Sequence, residues 1–225
     1  MSDESATAPG NIPTPKILPP QFKKSSPYFW ICDCSESMGL KNKANNLVKM
    51  DMVNKAIPLV IEKIREISEI ARKRQTTMRT IMFSDHAEWV DNESIPVDQS
   101  VWTNLSADGA TALGEAFSKL AQALKLIGEG GTMPERRTYP PVLILITDGY
   151  PTDDWETGLT ELYKVFWGQN AVRLALALEG ADREVLEAFI GDTFDKENKL
   201  VEIQDLTKLA YVIKDNSTVY GYSQD

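Results

Sequence analysis

Apolar residues occur along this chain in short unbroken runs, separated by amphipathic stretches with a step of three or four residues. Tyr28–Cys32 is the first run, and continuous apolarity over so short a span is the pattern of a strand buried on both faces. From about Val48 to Arg74, Val53, Ala56, Ile57, Val60, Ile64, Ile67 and Ala71 recur at helical spacing, with Pro58 predicting a kink or a restart. Met78–Phe83 predicts a second strand. Ala87–Val90 predicts a shorter one turned back across Ser84-Asp85-His86 as an edge hairpin. Leu113, Ala116, Leu120, Ala123 and Leu124 outline a helix that fades at Gly128-Glu129-Gly130-Gly131. Val142–Ile146 is the clearest buried strand. A helix near Asp154–Trp167, a strand at Val172–Leu178, a helix near Arg183–Ile190, a strand at Leu200–Ile203 and a last helix near Leu206–Lys214 complete the series.

Strand–helix alternation of this kind predicts an α/β fold, a mainly parallel sheet with helices on both faces. Such sheets bind ligands beyond the carboxyl ends of their strands, where the strand order reverses. Asp33 and Asp148 are placed just there, each following an apolar run, and Thr111 lies in a loop opening a helix on the same edge.

The chain has 225 residues, 42% of them hydrophobic, enough for one sizeable core. The Pro-rich stretch 1–26 reads as a disordered or extended tail, and residues 216–225 lack a pattern, leaving 27–215 as the domain. No run is long and apolar enough to span a membrane, and the N-terminus lacks the apolar region of a signal peptide. A formal charge of −9 argues against nucleic acid, because phosphate binding needs a basic face. Lys23-Lys24, Lys41–Lys43 and Arg72-Lys73-Arg74 are short clusters of solvated surface, the last at a predicted helix C-terminus.

The chemistry concentrates in Asp33-x-Ser35-x-Ser37. One carboxylate and two hydroxyls at alternate positions form a set of hard oxygen ligands, which hard divalent cations prefer. Taken singly, each such residue is as well explained by capping the next helix. Cys32 and Cys34 flank Asp33, but two sulfurs with no histidine or second pair do not make a thiolate site, so they read as buried small hydrophobes in a reducing compartment. Gly128–Thr132 lacks the Gly-Lys-Ser/Thr of a phosphate loop and follows its helix instead of preceding it. His86, the single histidine, sits in a polar turn and completes no Ser–His–Asp arrangement. Asp153 and Asp154 suit a helix N-terminus better than an acidic rim, and Trp155, Tyr163, Phe166 and Trp167 read as a core-packing stripe.

Asp33-x-Ser35-x-Ser37, a lone Thr111 opening a helix, and Asp148-Gly149 after an apolar strand together resemble the metal-ion-dependent adhesion site of von Willebrand factor A domains. The pieces stand in the right order, and the resemblance covers roughly Ser26 to Asp215. It implies a Rossmann-like fold with one antiparallel edge strand. It also implies a site in which Asp33, Ser35, Ser37, Thr111 and Asp148 hold Mg²⁺ (or Mn²⁺ or Ca²⁺), the aspartates largely through water. With few anionic ligands touching it, the cation stays electrophilic, and a partner protein's Asp or Glu becomes the expected sixth ligand.

The phrase Leu143-Ile144-Leu145-Ile146-Thr147-Asp148-Gly149-Tyr150-Pro151-Thr152-Asp153 is most similar to bacterial tellurite-resistance TerY-type proteins. That implies a cytoplasmic partner of a protein kinase or a metal-dependent phosphatase, in stress response or phage defence. Two positions depart from the family: Glu36 stands where glycine is common, and Gly109-Ala110-Thr111 replaces Gly-Gly-Thr. Neither removes a ligand, though Glu36 adds negative charge at the rim. The expectation is a non-enzymatic, cation-dependent binding module. A metal-dependent phosphoryl-transfer or hydrolytic enzyme is the first alternative, although no general base is evident, and a scaffold with an idle site is the second.

Overall fold

The computed structural model describes residues 24–70, 74–129, 138–192 and 199–202. Its sheet has seven strands: β1 (Lys24–Asp33), β2 (Arg74–Phe83), β3 (Ala87–Trp89), β4 (Ile95–Pro96), β5 (Val142–Thr147), β6 (Val172–Ala177) and β7 (Leu200–Glu202). The order is β3-β2-β1-β5-β6-β7, with β4 also paired to β2. From β2 through β7 every pairing is parallel, while β3 and β4 run antiparallel to β2. One antiparallel edge strand was expected, and a second, two-residue strand shares that edge.

Alternation along the strands divides the core in two. Tyr28, Trp30, Cys32, Ile144, Ile146, Leu174 and Leu176 face α1 (Lys49–Ile70). Phe29, Ile31, Leu143, Leu145 and Ala175 face the other layer, formed by α2 (Leu113–Glu129), α3 (Trp155–Lys164), α4 (Phe166–Gln169) and α5 (Arg183–Ile190). Central strands covered on both sides have no polar face, which is why β5 and β6 are buried at every position. On α1, Val53, Ile57, Val60, Ile61 and Ile64 are each at most 4% exposed. Burying such a side chain stabilises by about 1.5–3 kcal/mol. That stripe carries the helix through Pro58, which stands on the exposed face, where helices bend most readily. There is no restart.

Three boundaries differ from the sequence reading. β1 begins at Lys24, inside the stretch read as tail, and pairs Lys24 with Arg74, so β2 starts four residues before Met78. Backbone pairing carries both strands past their apolar runs, and Arg74 therefore opens a strand instead of closing a helix. The helix predicted over Asp154–Trp167 is two, because Val165 is extended. Gly168 approaches the Leu162 carbonyl too closely for any side chain, and buried Arg173 donates to the carbonyls of Gly168 (2.7 Å) and Ile190 (3.1 Å). The aromatic stripe divides accordingly: Trp167 is buried, Trp155 and Tyr163 half-buried, and Phe166 is 49% exposed. The predicted helix at Leu206–Lys214 lies outside the described residues, as do both predicted tails up to Lys23 and from 216 on.

The chain leaves β1 toward β2 on one side and, after α2, returns to β5 on the other. The strand order therefore reverses between β1 and β5, and their carboxyl ends flank the crevice. Asp33 closes β1, and Asp148 directly follows β5.

Candidate metal centre

At the end of β1 the chain turns through a single 3-10 turn, Glu36–Gly39, anchored by buried Met38. The turn folds the alternate side chains of Asp33, Ser35 and Ser37 toward one point. Ser35 N–H donates to Asp33 Oδ1 at 2.8 Å, and the hydroxyls of Ser35 and Ser37 lie 3.0 Å apart. Ser37 Oγ then donates to Asp148 Oδ1 at 2.7 Å, joining the end of β1 to the end of β5. Thr111 arrives from the third segment. A β-carbon at Gly149 would stand 3.4 Å from Ser37 Oγ and 3.8 Å from both Asp33 Oδ2 and Thr111 Oγ1. All five sequence-predicted residues are thus brought together, around a space kept open because residue 149 has no side chain.

The loops are strapped by their main chains. Glu36 N–H donates to Gly109 O (2.9 Å), and Asp108 N–H to Cys34 O (2.8 Å). Gly109 has φ +80, and a β-carbon there would fall 2.8 Å from Asp85 Oδ1, so both its conformation and its neighbour require glycine. Asp85 in turn accepts from Ala110 N–H at 2.8 Å. Thr111 and Thr152 exchange two bonds, Thr111 N–H to Thr152 Oγ1 and Thr152 N–H to Thr111 O, both 3.0 Å. The side chain of Glu36 is exposed at the rim and displaces none of the five.

Burial sets the electrostatics. Asp33 is 0% exposed, and that desolvation raises its pKa above the usual aspartate range. Donors at Ser35 and at Thr147, whose hydroxyl reaches Oδ2 at 2.5 Å, pull the other way but do not prevail. Burial likewise pushes Cys34 up to about 12, with the charge of Asp33 adding to the effect, and raises Cys32 well above an ordinary thiol. These are inert neutral thiols, each free and buried, in keeping with their reading as small hydrophobes.

Several residues of the site went unnoticed in the sequence. Thr147 serves Asp33, and Lys49 Nζ donates to Asp148 Oδ2 at 2.5 Å. Asp153 does cap a helix, but not its own: it accepts from Gly114 and Glu115 N–H, both 2.9 Å, at the start of α2. Asp154 caps α3 through Thr157 N–H at 3.0 Å. The one signal was position: Thr147 ends β5 directly before Asp148, and Thr152 and Asp153 follow it in the next loop. His86 is 79% exposed in its side chain and bridges to Glu115, away from the five. Gly130–Thr132, most of the glycine-rich stretch read as a connector, lie outside the described residues.

The donor set is oxygen throughout, two carboxylates and three hydroxyls. Among the described residues no three His, Cys, Asp or Glu side chains gather into a softer or more acidic site. Hard oxygens converging from three segments beside Gly149 suit a small hard cation. The residues fit such an ion.

The family model for the von Willebrand factor type A domain matches residues 29–215. The chain belongs to that family. No curated protein matches it. Among solved structures, this vWA chain resembles the PilB minor pilin from Streptococcus sanguinis with a TM-score of 0.58 at 16% identity, over 92% of this chain and 65% of that one. The von Willebrand factor type A protein from Catenulispora acidiphila gives 0.54 at 15%, over 86% and 42%. The ArnB paralog VWA2 from Sulfolobus acidocaldarius gives 0.52 at 17%, over 84% and 44%. The vWA chain thus spans less than two thirds of the pilin and under half of the other two. At such identities the likeness is one of fold.

Proposed function

We propose that this vWA domain is a non-catalytic binding module that recognises a carboxylate of a partner protein through a divalent cation, Mg²⁺ or alternatively Mn²⁺ or Ca²⁺. The observation that carries this reading is the convergence of Asp33, Ser35, Ser37, Thr111 and Asp148 around the space beside Gly149. When bound, the cation supplies an electrophilic position for a partner's Asp or Glu. The chain's own part is to hold hydroxyls where they can ligate, to fix Asp33 and Asp148 through second hydrogen bonds, and to present half-buried Ser37 and Gly149 on the side nearest solvent. Leu40 and Tyr150, 60% and 69% exposed, follow Ser37 and Asp148 closely and give that side apolar neighbours suited to a protein surface.

The likeness of Leu143–Asp153 to TerY-type proteins supports a cytoplasmic place in a stress-response or defence assembly, with a protein kinase or metal-dependent phosphatase as the partner. No helix among the described residues is long and apolar enough to cross a membrane.

The test is affinity capture in Mg²⁺ followed by elution with chelator, using wild type, Asp33→Ala, Ser35→Ala/Ser37→Ala and Gly149→Ala. Gly149→Ala is the cleanest variant, because its methyl makes only ordinary contacts with Ser37, Asp33 and Thr111 yet fills the space between them. It is expected to keep wild-type stability within about 1 kcal/mol and to lose chelator-sensitive capture. Capture indifferent to chelator and to all three variants would exclude the reading. Phosphatase or nucleotide hydrolysis lost in Asp33→Ala would favour an enzyme instead.

A further inference from the structure

Lys49 is the first residue of α1, and its buried side chain, 9% exposed, ends on Asp148 Oδ2 at 2.5 Å. Two features make this position costly for an ammonium. Lysine is rarely buried without a partner, and a cation at a helix N-terminus opposes the helix dipole. Gly180, in the loop after β6 with φ +99, borders the ammonium. A β-carbon there would lie 3.8 Å from Lys49 Nζ and 3.1 Å from the Asp148 carbonyl oxygen.

The charge is aimed at the same carboxylate that Ser37 binds through its other oxygen, Oδ1. Asp33, by contrast, is held by the neutral donors Ser35 N–H and Thr147 Oγ1. Of the two aspartates at the strand ends, one therefore carries a built-in counter-charge.

We propose that Lys49 is a tethered counter-ion that weakens divalent-cation binding at this site and biases the cation-loaded site toward an anionic partner. The proposal rests on the adhesion-site reading and concerns its regulation. A divalent cation set among two carboxylates alone is neutralised by them. With the Lys49 ammonium on Asp148, the empty site carries one net negative charge instead of two and draws the cation less, while the loaded site keeps one net positive charge, which attracts a further carboxylate. Cation and partner then bind each more tightly in the presence of the other, as linkage requires. Lys49 is a positioning residue, because it acts through Asp148.

Calorimetric titration of the full chain with Mn²⁺ alone tests this, on wild type, Lys49→Met and Lys49→Gln. Glutamine keeps a hydrogen-bond donor of similar reach without the charge, so it separates charge from packing. Both variants are expected to bind Mn²⁺ about tenfold more tightly than wild type. In chelator they are expected to melt below wild type, Lys49→Met lower than Lys49→Gln, with Mn²⁺ restoring both. Affinities within about twofold of wild type, or weaker, in both variants would overturn the proposal and leave the adhesion site standing. Tighter binding in Lys49→Met alone would also overturn it, since the effect would not be one of charge. If wild type and both variants all ignore millimolar Mn²⁺, the adhesion-site reading fails and this proposal with it.

Discussion

Asp33 and Asp148 terminate neighbouring parallel strands and are about equally buried, 0% and 3% exposed, yet they are held by opposite chemistry. Among the described residues Asp33 has only neutral donors, and its desolvation appears as a raised pKa. Asp148 shares its oxygens between a hydroxyl and an ammonium. A buried carboxylate can be tolerated by hydrogen bonds or by counter-charge, and this site uses one solution on each limb. The first brings no fixed positive charge against an arriving cation. The second stores a charge that must be accommodated when a cation arrives.

The largest expected effect separates the limbs directly. In chelator, Asp148→Ala strands the Lys49 ammonium and should cost about 3–5 kcal/mol in urea denaturation. Asp33→Asn keeps an acceptor for Ser35 N–H, and the Thr147 hydroxyl can turn to accept, so it should change stability by less than about 1 kcal/mol. Equal costs at the two positions would break the comparison. Thr147→Val comes next. It removes the charge-facing donor of Asp33 while preserving shape, at about 2 kcal/mol, and that cost should shrink in the Asp33→Asn background when the two are combined in a double-mutant cycle.

A third carboxylate on the same edge serves as a control. Burial alone would raise Glu115, but bonds from Lys119, Ala87 N–H and His86 outweigh it and hold its pKa below the usual glutamate range. A depressed native pKa means stability that is present above the unfolded value, about 4.3, and lost as pH falls through the native one. Glu115→Gln should therefore lower the melting temperature slightly at neutral pH and not at all in strong acid. Its side chain is 36% exposed, so screening limits the loss to no more than about half a kcal/mol.

What the sequence made legible was whatever is local. Asp33, Ser35 and Ser37 announce themselves because alternate oxygens within five residues can converge only through a turn, and β5 announces itself because a strand covered on both faces has no polar position. Thr111 and Asp148 were placed by the rule that ligands gather at strand carboxyl ends. Lys49 was invisible. Ninety-nine residues separate it from Asp148, and a lysine opening an amphipathic helix reads as surface. The polar beginnings of β1 and β2 were missed for a related reason, since strand pairing depends on the backbone and hydrophobicity marks only the portion inside the core. Val165 breaks the predicted helix through a close approach of Gly168 to Leu162 that no periodicity encodes.

Cys34 lies between Asp33 and Ser35, 4% exposed, with Cys32 two residues earlier at 0%. Alkylating reagents attack thiolates they can reach, and in the closed fold neither condition is met. Labelling must then await a transient separation of the carboxyl end of β1 from its neighbours. The pair is a native clock for the breathing of the crevice: the rate at which iodoacetamide is consumed reads out how often the strand end opens, and anything that bridges β1 to β5 should slow it.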